Sequence, residues 1–105
     1  MFLSDILSTL HALVIRTDCQ KHDYSTAAIS HVPHLIAAAL VKLVMEHDSK
    51  DSFMKTIAAG GFKDITRIAS SSPTMWQHIC ESNTENISLL LTDYILMLQD
   101  IQSAL

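Results

Sequence analysis

Apolar residues recur at helical intervals along most of this chain. In the first segment Phe2, Ile6, Leu7, Leu10 and Leu13 follow that rhythm, while Ala12-Leu13-Val14-Ile15 is a continuous apolar run open to either helix or strand. Asp23 is placed to cap a long helix reaching about His47. The apolar positions of that helix, Ala27, Ala28, Leu35, Ala38, Ala39, Val41, Leu43 and Met45, lie on more than one side, so it is predicted to be central. Pro33 falls inside it, removing a backbone hydrogen bond and crowding the preceding turn at a cost of about 3 kcal/mol in a regular helix. A kink is therefore predicted. Freed carbonyls beside His31 and His34 would make a polar spot in an apolar rod, suited either to a ligand or to histidines satisfied by their neighbours.

Asp48 to Asp51 read as a polar turn before a helix through Phe53, Met54, Ile57 and Ala58, which Gly60-Gly61 is expected to end. Phe62 to Ala69 reads as a short helix. Ser72-Pro73 has the form of an N-cap followed by proline at the first helical position, opening a helix through Met75, Trp76 and Ile79. Asn83 is expected to cap the last helix, whose stripe of Ile87, Leu90, Leu91, Tyr94, Ile95, Leu98 and Ile101 is joined by a second apolar face of Leu89, Leu96 and Met97. Two such faces suit one core and one neighbouring subunit. The expected fold class is all-α, a helical bundle in one domain over residues 1–105.

Composition sharpens the expectation of a partner. Of the 105 residues, 49% are apolar and only 17% charged, and mean hydropathy is +0.25, more apolar surface than one small core needs. A net charge of -4 with seven scattered Lys and Arg residues argues against nucleic acid. The opening residues lack a basic signal region, and the most apolar stretches are interrupted by His31, Pro33 and His34 or by Asp93, read as well short of a membrane span. Cys19 and Cys80 are too few for a disulfide framework, so a cytoplasmic setting without a membrane is expected.

Six histidines raise a metal reading, with His31 and His34 on one helix face and His22-Asp23 nearby. No cysteine or glutamate completes a site at a diagnostic spacing. The His-Asp pairs at 22–23 and 47–48 resemble metal-dependent phosphohydrolases of the HD type, without the further ligands such enzymes need. Ser30 beside His31 is a sequence neighbour and not a triad, and Gly60-Gly61 follows a helical pattern instead of a strand, unlike a phosphate loop. Arg67 is more informative. On a short helix after a turn, its planar fork suits a carboxylate, and Asp64 is spaced to hold it or to reach a neighbouring subunit; the plainer alternative is a solvated helix pair.

Taken together, His22-Asp23, Ser30-His31-Val32-Pro33-His34, the run Ala58-Ala59-Gly60-Gly61-Phe62-Lys63-Asp64-Ile65-Thr66-Arg67-Ile68-Ala69, and Pro73-Thr74-Met75-Trp76 with Asn83 resemble the prephenate dehydrogenase C-terminal domain. The motifs keep the family's order over roughly residues 18 to 90. Val32 replaces the usual leucine of Ser-His-Leu-Pro-His, and His78 stands where aspartate is common. The resemblance implies a 6-phosphogluconate dehydrogenase C-terminal-like helical domain in an intertwined homodimer. It implies part of an oxidoreductase that converts prephenate to 4-hydroxyphenylpyruvate in tyrosine biosynthesis, with arogenate an open alternative substrate. By motif position Arg67 would receive the ring carboxylate, with His34 and Ser30 as further substrate contacts and His31, Asp64 and Trp76 as the supporting network.

The catalytic histidine and the site for NAD or NADP are expected in an N-terminal nucleotide-binding domain that these residues do not include, so this domain alone is expected to bind no cofactor and to be inactive. Two rival readings are a non-catalytic helical interaction module and a metal-dependent hydrolase using the His and Asp cluster.

Overall fold

A computed structural model describes residues 2–105, and among these there is no strand. Helix α1 (Phe2–Thr9) stops where His11 takes a left-handed backbone, φ 60°. The Ala12–Ile15 run is neither helix nor strand. It lies back along α1, where Arg16 donates to the Ser4 hydroxyl at 2.9 Å.

Helix α2 (Cys19–Thr26) is capped by Asp18, whose carboxylate accepts the Lys21 amide at 2.7 Å. The expected cap, Asp23, sits inside the helix instead, because Asp18 has the extended backbone a cap requires. The helix then widens into a single π turn over Ala27–His31, with the Val32 amide donating to the Ala27 carbonyl five residues back, before α3 (Val32–His47) resumes. This is how the chain accommodates Pro33. A proline ring clashes with the carbonyl four residues earlier, and one extra residue in the preceding turn relieves that crowding.

The π turn also keeps the run Cys19–His47 helical throughout. Against the expectation from sequence, these 29 residues form a helix long and apolar enough to cross a membrane by length and composition. Only 17% of its most apolar stretch is buried; where it is covered, α7 lies against the π turn and α3, and a 3₁₀ turn (Arg67–Ser70) lies against α3.

After α3, Asp48 organises the turn. Its carboxylate accepts the amides of Ser49 and Met54 at 2.9 Å and of Lys55 at 3.2 Å, while the Ser49 hydroxyl bonds Asp51 and Ser52 adopts φ 58°. Helix α4 (Phe53–Ile57) is thus capped from six residues away. Asp48→Ala is expected to lower unfolding stability by about 0.5–2 kcal/mol, read by urea denaturation; an unchanged midpoint would show the cap to be idle.

Gly60-Gly61 do not end α4. They open α5 (Gly60–Thr66), neither has positive φ, and a side chain added at either would meet open space. Without a left-handed backbone there is no glycine-type helix stop. Helix α6 (Pro73–Ser82) begins as expected, with the Ser72 hydroxyl accepting the Met75 amide at 3.4 Å. Helix α7 (Thr84–Ala104) closes the chain.

The buried core is small. Ala27, Val32, Ala37 and Ile87 are its buried apolar residues, with Leu35, Ile36, Cys80, Leu90 and Leu91 packed partly against it. The radius of gyration is 18.2 Å, against about 13 Å for a compact chain of this length. The accessible surface is 8601 Å², against roughly 5,800 Å² for a folded monomer of this mass. The surplus includes the second face of α7, with Leu89, Leu96 and Met97 exposed, and the flank of α3 at Leu43 and Met45.

Candidate functional site

The π turn and Pro33 set the placement of the histidines. Widening the helix by one residue just before α3 brings His31 and His34 together on the side facing α6, where Trp76 meets both. The His34 and Trp76 rings stack in parallel, centroids 3.7 Å apart and planes within 3°. His31 meets Trp76 edge-on, at 6.0 Å and 84°. His34 is 6% exposed, and both its Nδ1 and Trp76 Nε1 are buried without a hydrogen-bond partner among the described residues.

Behind His31 runs a polar chain. Asn83 Nδ2 donates to the Asp23 carbonyl at 2.8 Å and lies 3.2 Å from His31 Nδ1, while Asn86 donates to Asn83 Oδ1 at 2.8 Å. Asn83 makes no side-chain cap to α7, contrary to expectation, because its amide is turned toward α2 and the π turn. His22 Nδ1 and an Asp23 carboxylate oxygen are 3.2 Å apart on the exposed rim. These groups border a cavity of about 320 Å³ lined by His22, Asp23, His31, Ile79, Ser82 and Asn83.

Burial holds the His31 pKa below its usual 6.5, with the nearby Asp23 charge opposing the shift. A histidine depressed in the folded state binds fewer protons there than when unfolded. Its contribution to stability is complete above pH 6.5 and is lost as pH falls through the folded value. Chemical denaturation on either side of pH 6.5 should show this loss, and His31→Asn should remove that part of it; an identical pH dependence in the variant would contradict the assignment.

The structure therefore brings His31, His34 and Trp76 together. Ser30 is half-buried in the π turn beside them. Asp64 and Arg67 are exposed, and among the described residues no ion pair joins them; the expectation that Asp64 holds the guanidinium within one subunit is not met. Arg67 opens the 3₁₀ turn that packs on α3, the helix carrying His34. Asn83 was legible as a helix cap and as part of the motif set but not as a bridge, because nothing in local sequence tells a cap from a tertiary contact. Among the described residues no three His, Cys, Asp or Glu side chains gather closely enough to hold a metal ion together.

Comparison with known proteins places these observations. The sequence model of the family described as prephenate dehydrogenase, dimerization domain, matches residues 18–105, which takes in every candidate residue above. The chain is 42% identical over 85 residues to prephenate dehydrogenase of Bacillus subtilis, covering 81% of this chain and 23% of that one. It is 29% identical over 105 residues to cyclohexadienyl dehydrogenase of Zymomonas mobilis, covering 99% and 36%. A crystal structure of prephenate dehydrogenase from A. aeolicus, in complex with hydroxyphenyl propionate and NAD+, superposes with a TM-score of 0.86 at 29% identity, over 97% of this chain and 36% of that one. Synechocystis arogenate dehydrogenase shares the fold, with a TM-score of 0.87 at 24% identity over 96% and 37%. The chain spans about a quarter to a third of the length of the relatives it matches.

Proposed function

Because this chain belongs to the prephenate dehydrogenase dimerization-domain family, we propose that residues 1–105 act as one domain that supplies the dimer interface and part of the substrate pocket for oxidative decarboxylation of prephenate to 4-hydroxyphenylpyruvate. The observation that carries this reading is the family match over 18–105 on a chain whose His34, Trp76 and His31 are already assembled. Relatives that act on prephenate, cyclohexadienyl substrates or arogenate are all dehydrogenases. The activity belongs to tyrosine biosynthesis in the cytoplasm, a setting in keeping with unpaired thiols at Cys19 and Cys80.

Each residue has a physical role in this scheme. Prephenate is a diacid, and the Arg67 guanidinium, exposed and in no ion pair among the described residues, offers two parallel N–H donors to its ring carboxylate. The His34–Trp76 stack forms a rigid apolar wall against which the substrate ring lies. Within the stack His34 Nδ1 and Trp76 Nε1 are buried without a partner among the described residues, an isolation that costs about 1–3 kcal/mol each. Ser30 adds a hydroxyl, and Asp64 reaches across to the second subunit.

The residues of this chain do not fit a dinucleotide. Among those described there is no strand to launch a glycine-rich phosphate loop, and Gly60-Gly61 lie in the first turn of α5 with nothing packed against them. Oxidation by NAD or NADP is a property of the full-length enzyme, with this chain contributing the substrate side and the homodimer.

Supplying the nucleotide-binding domain of the same enzyme, or assaying the longer protein, is expected to give prephenate-dependent formation of NADH or NADPH, while the chain alone gives none. A complete enzyme that reduces neither nucleotide with prephenate or arogenate would overturn the assignment.

A further inference from the structure

Asn83 has a more constrained position than a helix cap. Its side-chain NH₂ faces the Asp23 carbonyl at 2.8 Å. That carbonyl also accepts the Ala27 amide where α2 gives way to the π turn. A carbonyl only accepts, so the NH₂ must point toward it, and the Asn83 oxygen takes the Asn86 amide on the other side at 2.8 Å. With the amide fixed this way round, the atom 3.2 Å from His31 Nδ1 is a donor. His31 Nδ1 must then be the acceptor, and the ring proton sits on Nε2.

We propose that Asn83 is a positioning residue: by donating to Nδ1 it holds His31 neutral, as the Nε2–H tautomer, and through His31 it fixes the Trp76–His34 stack that forms the pocket wall. The consequence for substrate rests on the function proposed above; the tautomer itself does not. Protonated His31 would set an Nδ1–H against the Asn83 N–H, donor facing donor, and the link from α7 to the π turn would break. The titratable groups around His31 are Asp23 and His22 of α2, which share its cavity, and His34 one turn along α3. From α6 and α7 the cavity presents Ile79, Ser82 and Asn83, none of which titrates. Asp23 favours protonation and burial opposes it, with burial the larger effect, so the clamp is intact near neutrality and opens under acid.

The test is a long-range proton–nitrogen correlation spectrum of the histidine rings in the 105-residue chain. Above pH 6.5 the expected pattern for His31 is an unprotonated Nδ1 and a protonated Nε2. Asn83→Asp, nearly equal in size, replaces the donor with an acceptor; it should move the proton to Nδ1, raise the His31 pKa, and carry the pH midpoint of Trp76 fluorescence upward with it. A protonated Nδ1 in the unaltered protein would overturn the proposal, and this result does not depend on the variant folding. So would an Asn83→Asp chain, folded by circular dichroism, whose His31 tautomer and titration are unchanged. Failure of the complete enzyme to oxidise prephenate would remove the substrate reading and leave the tautomer result standing, so the two failures are distinguishable.

Discussion

Arg67→Ala in the full-length enzyme is expected to raise the KM for prephenate about 10- to 150-fold with a smaller change in kcat. A charge-assisted hydrogen bond contributes about 1.5–3 kcal/mol, and each 1.4 kcal/mol is a factor of ten. Loss of a contact made equally to substrate and transition state appears in KM and not in kcat. Arg67 lies exposed on a turn, so its removal leaves the small core of Ala27, Val32 and Ile87 untouched and a folding defect is not expected to obscure the result. Arg67→Lys should recover only part of the affinity, because a point charge cannot reproduce the planar fork. A steady-state assay showing an unaltered KM in Arg67→Ala would take this residue out of the site.

The second large effect concerns assembly. Between α3 and α7 lies an apolar groove of about 630 Å³, lined by Leu35, Ile36, Ala39, Leu40, Leu43, Leu91, Tyr94 and Leu98. Leu43 and Leu98 are 53% and 47% exposed in a single chain, which makes them selective probes. In a homodimer that covers this groove, Leu43→Asp or Leu98→Asp buries an unpaired carboxylate at a cost of several kcal/mol. The dimer Kd should weaken on the order of 100- to 1,000-fold. Helicity should be retained, since neither residue is in the monomer's core. Sedimentation equilibrium reads this directly, and variants that dimerise as tightly as the unaltered chain would move the interface elsewhere.

The extent to which the sequence forecast the structure follows from how local each signal is. The helical rhythm of α7 and the Ser72-Pro73 start of α6 depend on residues within a turn or two, and both helices appear where expected. Of the α7 stripe, however, only Ile87 is buried, while Ile95, Leu98 and Ile101 are exposed. Competing caps are harder. Asp18 and Asp23 are chemically equal, and only the backbone at Asp18 decides which begins α2. Gly60-Gly61 carry the composition of a stop yet form a start, because neither takes the left-handed backbone that a glycine stop requires. Pro33 announced trouble in the helix but not its form, since a kink and a π turn relieve the same clash.

At the site, motif order grouped His31, His34 and Trp76, and their rings do meet. What motif order could not supply was the bridge from Asn83 to Asp23, a contact across 60 residues of chain. The long helix through Pro33 to His47 was legible, but the sequence pattern places its start at Asp23 instead of Cys19, and its length and apolarity read as falling short of a span.

The pocket itself is tested most directly by a crystal structure of the homodimer with prephenate bound. The ring carboxylate is expected to accept two hydrogen bonds from Arg67 at about 2.7–2.9 Å, with the substrate ring against the His34–Trp76 stack of one subunit. Prephenate seated away from both, or Arg67 and His34 pointing into separate cavities in the dimer, would contradict the account.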